Sequence, residues 1–216
     1  MTARGRTLAL LAIALAASLS APGSAAAMHR CQSTGSDTVE ASRYARIFSK
    51  PRVRRPAYRV TAYYGCLYSA GKKFHLGDVG EPGLFISSFS PLRLAGRFAA
   101  YGISYEGPAG GFYAVVRVRD LRNGSVFEHE AFSAGSNDDG TKQVSDLELS
   151  RDGSVAWIAR VNAQSPPPTE VHIGSRTGAR LADVGFAIEP LSLALSGSRI
   201  YWYNGATARS DTFLGG

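Results

Sequence analysis

The sequence predicts an all-β protein, organised as a small β-propeller of about four repeat units whose last unit is truncated. Three observations support this fold class. A hairpin pattern occurs four times, the first three copies are each followed by a second pair of strands around a turn glycine, and the one convincing apolar run at helical spacing lies within residues 1–27. An open β-meander or a β-sandwich is the alternative.

Each hairpin copy has two apolar or small residues at alternate positions, a short turn, and a second strand that closes on an aromatic residue. The alternate pairs are Val39 and Ala41, Leu92 and Leu94, Leu147 and Leu149, and Leu193 and Leu195. The closing aromatic residues are Phe48, Tyr101, Trp157 and Trp202. We expect Tyr101, Trp157 and Trp202 to be buried at equivalent positions, with Tyr201 and Tyr203 flanking the last of them in the packing between units. The alternative for Tyr201, Trp202 and Tyr203 is a platform on which a ligand stacks.

The second half of each unit is marked by a turn glycine. Gly71, Gly124 and Gly178 lie 53 and 54 residues apart, and each separates a predicted third strand from a fourth. Units of this length with four short strands are typical of β-propellers. The fourth unit has room for only one strand after Trp202, so we consider residues 28–37 as an N-terminal segment that donates a closing strand to a repeat domain spanning 38–216.

One hairpin carries a family resemblance. The segment "LSRDGSVAW", residues 149–157, resembles the strand-turn-strand signature of WD-repeat-like β-propellers of the TolB type, in which a Ser-Pro-Asp-Gly turn precedes an apolar strand. Arg151 stands where that signature has proline, and the other three copies lack the Asp-Gly. With "VRDLRNG" and "YWYNG", the chain also resembles bacterial secreted propeller-like proteins. The resemblance implies a fold and export, and no activity.

The N-terminus has the pattern of a secretory signal peptide, residues 1–27. Arg4 and Arg6 precede a short apolar run, and Ala25 and Ala27 are spaced as a cleavage site. No later segment is a candidate membrane span, so we expect an extracytoplasmic protein, secreted or in the cell envelope. In that compartment Cys31 and Cys66 are expected to form a disulfide, the alternative being two separate thiols.

The formal net charge of +7 is spread over most of the chain, which argues against a dedicated nucleic-acid-binding protein, because such proteins concentrate basic residues on one face. Only "SKPRVRR", residues 49–55, is locally basic. It is either a patch that binds polyanions or a solvated loop held open by Pro51 and Pro56.

A propeller has one face of short turns and one of longer connections. We expect the long-loop face to bind, because the turns of the opposite face are too short to form a pocket and function concentrates in long loops. The candidate binding residues on the long-loop face are Arg52, Arg54, Arg55, Tyr105, Glu106, Asp138 and Asp139. The leading hypothesis is therefore a non-catalytic binding or interaction module whose partner is a protein or an envelope glycan.

The second hypothesis is an exported hydrolase or lyase acting on glycans through the loop carboxylates Glu106, Asp138 and Asp139. No serine-hydrolase elbow occurs, and the sequence has no motif that predicts a cofactor. The histidines stand in no metal-binding spacing, and "GSNDDGTKQ" lacks the alternating carboxylates of a calcium loop. We predict no metal site and assign no catalytic residue.

Overall fold

The computed structural model of the protein describes residues 30–55, 58–80, 88–106, 112–133, 140–163, 165 and 168–213. Within these ranges the chain forms fifteen strands in four antiparallel sheets, which confirms the predicted all-β fold class. In the described part of the chain, no helix has the length and apolar character needed to cross a bilayer. The predicted signal peptide, residues 1–27, lies outside the described residues.

The sheets follow one another along the chain, and each is a meander of neighbouring strands. The first sheet contains β1 (Asp37–Ala41), β2 (Ala45–Arg55), β3 (Tyr58–Leu67) and β4 (Lys73–Gly80). The second contains β5 (Ser88–Ala95), β6 (Phe98–Glu106), β7 (Phe112–Asp120) and β8 (Val126–Glu130). The third contains β9 (Thr141–Leu149), β10 (Val155–Asn162), β11 (Thr169–Ser175) and β12 (Gly178–Gly185). The fourth contains β13 (Ala194–Ser196), β14 (Arg199–Asn204) and β15 (Thr207–Thr212).

These strands coincide with the predicted hairpins. The four hairpins are β1–β2, β5–β6, β9–β10 and β13–β14. Gly71 and Gly124 separate the third from the fourth strand of their sheets, and Gly178 is the first residue of β12. Gly124 has a φ of 84°, and a Cβ at this position would lie 2.3 Å from a ring carbon of Phe74 in the first sheet. This turn therefore needs glycine both for its backbone conformation and for the close approach of the neighbouring sheet.

The core consists of apolar layers between consecutive sheets. One layer joins the first sheet to the second, with Ile47 and Leu76 packed in a cluster with Tyr101. The next two join the second sheet to the third around Trp157 and the third to the fourth around Trp202. Tyr101, Trp157 and Trp202 are 0%, 0% and 3% exposed, which confirms the prediction that they are equivalent buried residues.

Each of these three closing aromatic residues also donates a hydrogen bond to the sheet that precedes it. The Tyr101 hydroxyl donates to the Leu76 carbonyl in β4 at 3.2 Å. The Trp157 indole N–H donates to the Ala131 carbonyl, just after β8, at 2.8 Å. The Trp202 indole N–H donates to an Asp183 carboxylate oxygen in β12 at 2.8 Å. Each ring is thus tied to the outermost strand of the preceding sheet, or to the residue after it, as well as packed against that sheet.

The prediction that Val39 and Ala41 form the buried apolar pair of β1 is wrong. Val39 is 44% exposed and Ala41 is also exposed, because the register with β2 shifts between Thr38 and Glu40. A β-bulge reverses the side to which the following side chains point. Glu40, and not its apolar neighbours, is the partly buried residue of this strand.

The loop predicted for residues 49–55 is also wrong, because β2 continues to Arg55. Pro51 lies within the strand, opposite Thr61 of β3. β1 begins at Asp37, opposite Ser49, so among the described residues one side of β2 has no partner strand at Pro51, where a residue without an N–H is tolerated. Arg52, Arg54 and Arg55 therefore belong to a strand end and not to a loop.

The N-terminal segment lies against the first sheet. Cys31 and Cys66 form the predicted disulfide, with Cα atoms 5.7 Å apart, and Lys73 donates a hydrogen bond to the Gln32 carbonyl at 2.8 Å. Residues 30–36 contain no strand, and the fourth sheet has three strands in the described chain. The segment proposed as a closing strand thus covers the first sheet instead.

Tyr201 and Tyr203 differ from the expectation that they pack between units. They are 40% and 48% exposed, whereas Trp202 on the other side of β14 is buried. The equivalents of Tyr201 in the preceding sheets are Ile47, Ala100 and Ala156, each buried against the next sheet. In the fourth sheet the side chain at this position, Tyr201, is exposed.

Replacing Trp157 tests the layered core. The ring lies between His129 and His172, with centroid distances of 5.8 Å and 5.0 Å, and it is fully buried. Trp157→Ala is expected to lower the free energy of unfolding by about 3–5 kcal/mol, because it leaves a large cavity. Urea unfolding measures this loss. Tyr203→Ala, on the exposed side of β14, is the control, and a Trp157→Ala loss below about 1 kcal/mol contradicts the assignment.

The disulfide closes a loop of 35 residues. In the chain-entropy model, losing it lowers the free energy of unfolding by about 3–4 kcal/mol. The variant Cys31→Ser/Cys66→Ser should show this loss in urea, and the mass of the unreduced wild-type protein should be two hydrogens below that of the reduced form. Two freely alkylated thiols in exported protein are the contrary result.

Candidate functional site

One position repeats on the first strand of every sheet, between the two residues of the predicted alternate pair. Glu40, Arg93 and Glu148 occupy it in the first three sheets and Ala194 in the fourth. Each lies opposite the residue that precedes the closing aromatic, and the cross-strand partners are Ile47, Ala100, Ala156 and Tyr201. The strand register therefore makes these four positions equivalent.

The charged side chains of these strands converge on Arg93. Its Nη2 lies 3.4 Å from Asp146 Oδ1 and its Nε lies 3.9 Å from Glu148 Oε1. Two carboxylates also accept backbone N–H groups of a neighbouring sheet: Glu40 from Leu94 at 2.8 Å and Asp146 from Leu193 at 3.0 Å. The cluster of Glu40, Arg93, Asp146 and Glu148, which we call the axial cluster, thus links the first strands of all four units.

Burial makes the ionised form of the Glu40 and Glu148 carboxyl groups unfavourable in this cluster. It raises the pKa of Glu148 above its ordinary value, and the nearby carboxylates of Asp146 and Glu40 raise it further, while Arg93 offsets part of the shift. Burial also raises the pKa of Glu40, against the lowering effects of the Leu94 N–H and of Arg93. Two carboxyl groups with raised pKa values therefore lie in one cluster.

The four short turns surround one concavity of about 570 Å³, which we call the turn mouth. Its lining comes from residues 42–44, 94–96, 149–151, 195 and 197. The expectation that the short-turn face cannot form a pocket is wrong. A turn of two or three residues encloses nothing by itself, but four of them around one centre leave a space between them. Glu40, Arg93 and Glu148 lie on the strands that lead into these turns.

A second concavity of about 600 Å³ adjoins the turn mouth and shares Tyr44, Gly96 and Arg151 with it. The remaining lining residues are Leu67, Ser69, Arg97, Phe98 and Asp152. Together the two spaces form a groove lined by residues of all four sheets.

Three exposed arginines line this groove at a regular interval. Arg43, Arg97 and Arg151 lie 54 residues apart, one in each hairpin turn. The Arg43 guanidinium lies 4.6 Å from the centroid of the Tyr44 ring, and Arg97 Nε pairs with buried Asp120 at 3.0 Å. Among the described residues, Arg43 and Arg151 have no carboxylate within ion-pair distance.

Neither the axial cluster nor the turn arginines were predicted from the sequence. The hairpin pattern is defined by its apolar residues and does not include the residues between each pair or those in the turns. The 54-residue interval of the three turn arginines was a signal in the sequence that could have identified the groove.

The opposite face carries a cleft of about 580 Å³, lined by Ser88, residues 143–145, Arg160 and residues 189–191. Of the residues predicted to bind, Arg52 is exposed on β2, and Tyr105 stacks on Tyr113 with ring centroids 5.5 Å apart. Neither lines this cleft.

The other predicted binding residues lie at strand ends or outside the described residues. Arg54 and Arg55 end β2, and Glu106 ends β6. Asp138 and Asp139 lie outside the described residues. Within the described ranges, no group of three or more histidine, cysteine, aspartate or glutamate residues is arranged to hold a metal ion.

Comparison of the chain with protein-family models, with curated proteins and with solved structures finds no match. The resemblance to TolB-type propellers therefore stays a prediction.

The axial cluster predicts a pH dependence of stability. Because the pKa of Glu148 is raised in the folded protein, its contribution to stability is greatest below the ordinary value of 4.5 and falls as the pH rises through the raised value. Glu148→Gln should therefore reduce the loss of stability between pH 4.5 and neutral pH, measured by urea unfolding across this range. Glu130→Gln, on exposed β8, controls for net charge, and a wild-type slope in Glu148→Gln contradicts the assignment.

Proposed function

We propose that the protein is an extracytoplasmic binding module with the architecture of a small β-propeller, and that its ligand sits in the turn mouth. One observation carries the proposal: the equivalent turns of all four units line a single concavity. Space enclosed by several turns on a rigid sheet scaffold is a common form of binding site.

The propeller architecture is supported by the order of the sheets. The sheets pack in chain order through three apolar layers, and their first strands β1, β5, β9 and β13 lead into the turns around the mouth. Sheets arranged around an axis through their first strands have this relation. Export is supported by the signal-peptide pattern of residues 1–27 and by the disulfide.

Binding is favoured over catalysis because the axial carboxylates already have structural partners. Asp146 accepts the N–H groups of Leu147 and Leu193 through its two oxygens. Glu40 accepts the Leu94 N–H, and Glu148 faces Arg93. These groups hold neighbouring units together. This structural role explains why they are buried, and no catalytic role is needed to explain it.

The raised pKa values of Glu40 and Glu148 favour one second candidate, a glycan hydrolase. A carboxyl group with a raised pKa is suited to act as a general acid, with a second carboxylate as nucleophile or base. In that case the wild-type protein cleaves a glycan, Glu40→Gln and Glu148→Gln both abolish cleavage, and the bound ligand is a substrate.

Filling the turn mouth tests the binding proposal. Exported wild-type protein is screened against glycans and envelope proteins, and each ligand is measured again with Arg43→Trp/Arg151→Trp, because two indole rings should occupy much of the space. We expect the affinity to fall at least about tenfold. Arg122→Trp is the matched control, since Arg122 is exposed in the outer β7–β8 turn and does not line the mouth.

Retained affinity in the double tryptophan variant, together with unchanged thermal unfolding, overturns the proposal. If Arg52→Ala or Tyr105→Ala then weakens binding, the long-loop face is the binding surface, as the sequence-based hypothesis holds.

A further inference from the structure

We propose that the ligand of the turn mouth is an acidic polysaccharide, whose carboxylates are bound by Arg43 and Arg151 while a sugar ring packs beside Tyr44. This inference rests on the proposed function and specifies the chemistry of its ligand.

The first argument is the position of the cations. Arg43 and Arg151 both line the turn mouth, and Arg151 with Arg97 lines the adjoining concavity. The groove therefore presents three guanidinium groups along its length. A linear polymer with a charge on successive residues matches such a series, whereas a single small anion would use only one or two of the groups.

The second argument is the availability of these cations. Arg97 already has an ionic partner within the protein, because its Nε pairs with the carboxylate of Asp120, which is 3% exposed. Arg43 and Arg151 are exposed and have no carboxylate partner among the described residues. A guanidinium with free N–H groups binds a carboxylate through two parallel hydrogen bonds, and this geometry makes arginine selective for carboxylate and phosphate groups.

One negative group also lines the groove. Asp152 is exposed in the β9–β10 turn, where its carboxylate accepts the Ser154 N–H at 2.8 Å. Hydrogen bonds from Ser154 and Ser150 hold its pKa below the ordinary value, so it stays charged at neutral pH. The three arginines outweigh this single exposed carboxylate, and the groove is cationic.

The third argument distinguishes a sugar polymer from other polyanions. Tyr44 is 40% exposed and its ring lies under the Arg43 guanidinium, at the junction of the two concavities. An exposed aromatic ring offers an apolar surface to a sugar ring, and the adjacent guanidinium then reaches the carboxylate of the same residue. Exposed basic side chains outside the groove lie apart from one another, with Arg52 on β2, Lys72 in the β3–β4 turn and Arg122 in the β7–β8 turn, whereas a nucleic-acid-binding protein concentrates them on one basic face.

The probe is a hexamer of galacturonic acid, and its methyl-esterified form is the neutral counterpart with the same rings. Isothermal titration calorimetry compares the wild type with Arg43→Gln/Arg151→Gln, with Arg43→Lys/Arg151→Lys and with the control Arg122→Gln. Thermal unfolding of every variant checks that the fold is intact. Duplex DNA and an oligoglutamate of similar charge are the competing polyanions.

We expect the wild type and Arg122→Gln to bind the acidic hexamer with equal affinity and to lose affinity as salt is added. The glutamine double variant should bind at least about tenfold more weakly, since each exposed charge-assisted pair contributes a factor of several. The affinity of the lysine double variant should lie between those of the wild type and the glutamine double variant, because lysine keeps the charge and loses the paired hydrogen bonds. The esterified hexamer should bind at least about tenfold more weakly than the acid.

Three results overturn the inference: no binding of the acidic hexamer, equal binding by the glutamine double variant, and equal binding of the esterified hexamer. Tighter binding of DNA or oligoglutamate through the same arginines also overturns it and assigns the groove to that polymer. These failures are distinct from failure of the proposed function. A different ligand that is lost in Arg43→Trp/Arg151→Trp keeps the turn mouth as a binding site, whereas a ligand unaffected by the tryptophan variant removes it.

Discussion

The fold depends on one interaction that occurs at every junction between sheets. The closing aromatic residue of a unit enters the apolar layer shared with the preceding sheet and donates a hydrogen bond near that sheet's outermost strand. Tyr101, Trp157 and Trp202 do this with acceptors on Leu76, Ala131 and Asp183. Packing alone allows two sheets to slide, because dispersion forces have little directionality. A buried donor with one well-placed acceptor fixes the relative position of the sheets, since leaving it unpaired is costly.

A second set of contacts fixes the same sheets at their first strands. Glu40 and Asp146 accept backbone N–H groups of the next unit, and Arg93 lies between Asp146 and Glu148. Neighbouring sheets are therefore held at both edges. The aromatic donors act at or beside the last strand of the preceding sheet, and the charged groups act at the first strands. The Arg43 and Arg151 side chains take part in neither set of contacts, which leaves them available to a ligand.

The strands and hairpins could be predicted because they depend on local patterns. Alternating Leu residues, a turn and an aromatic residue specify a hairpin within about a dozen positions, and three equivalents were identified correctly. The environments of Val39 and Pro51 were predicted wrongly because they are set by the partner strand. A bulge turns Val39 outward, and β1 begins only opposite Ser49, which permits proline in β2. The turn mouth could not be predicted from any single segment, since it exists only between four turns that are far apart in sequence.

In the described chain no sheet precedes the closing aromatic residue of the first sheet, Phe48. Phe48 is nevertheless only 1% exposed, because the Cys31–Cys66 cystine and Tyr64 cover its ring. In the other three sheets the closing aromatic ring is covered by the preceding sheet. The cystine therefore does for the first sheet what a preceding sheet does for the others, because it keeps water away from the closing ring.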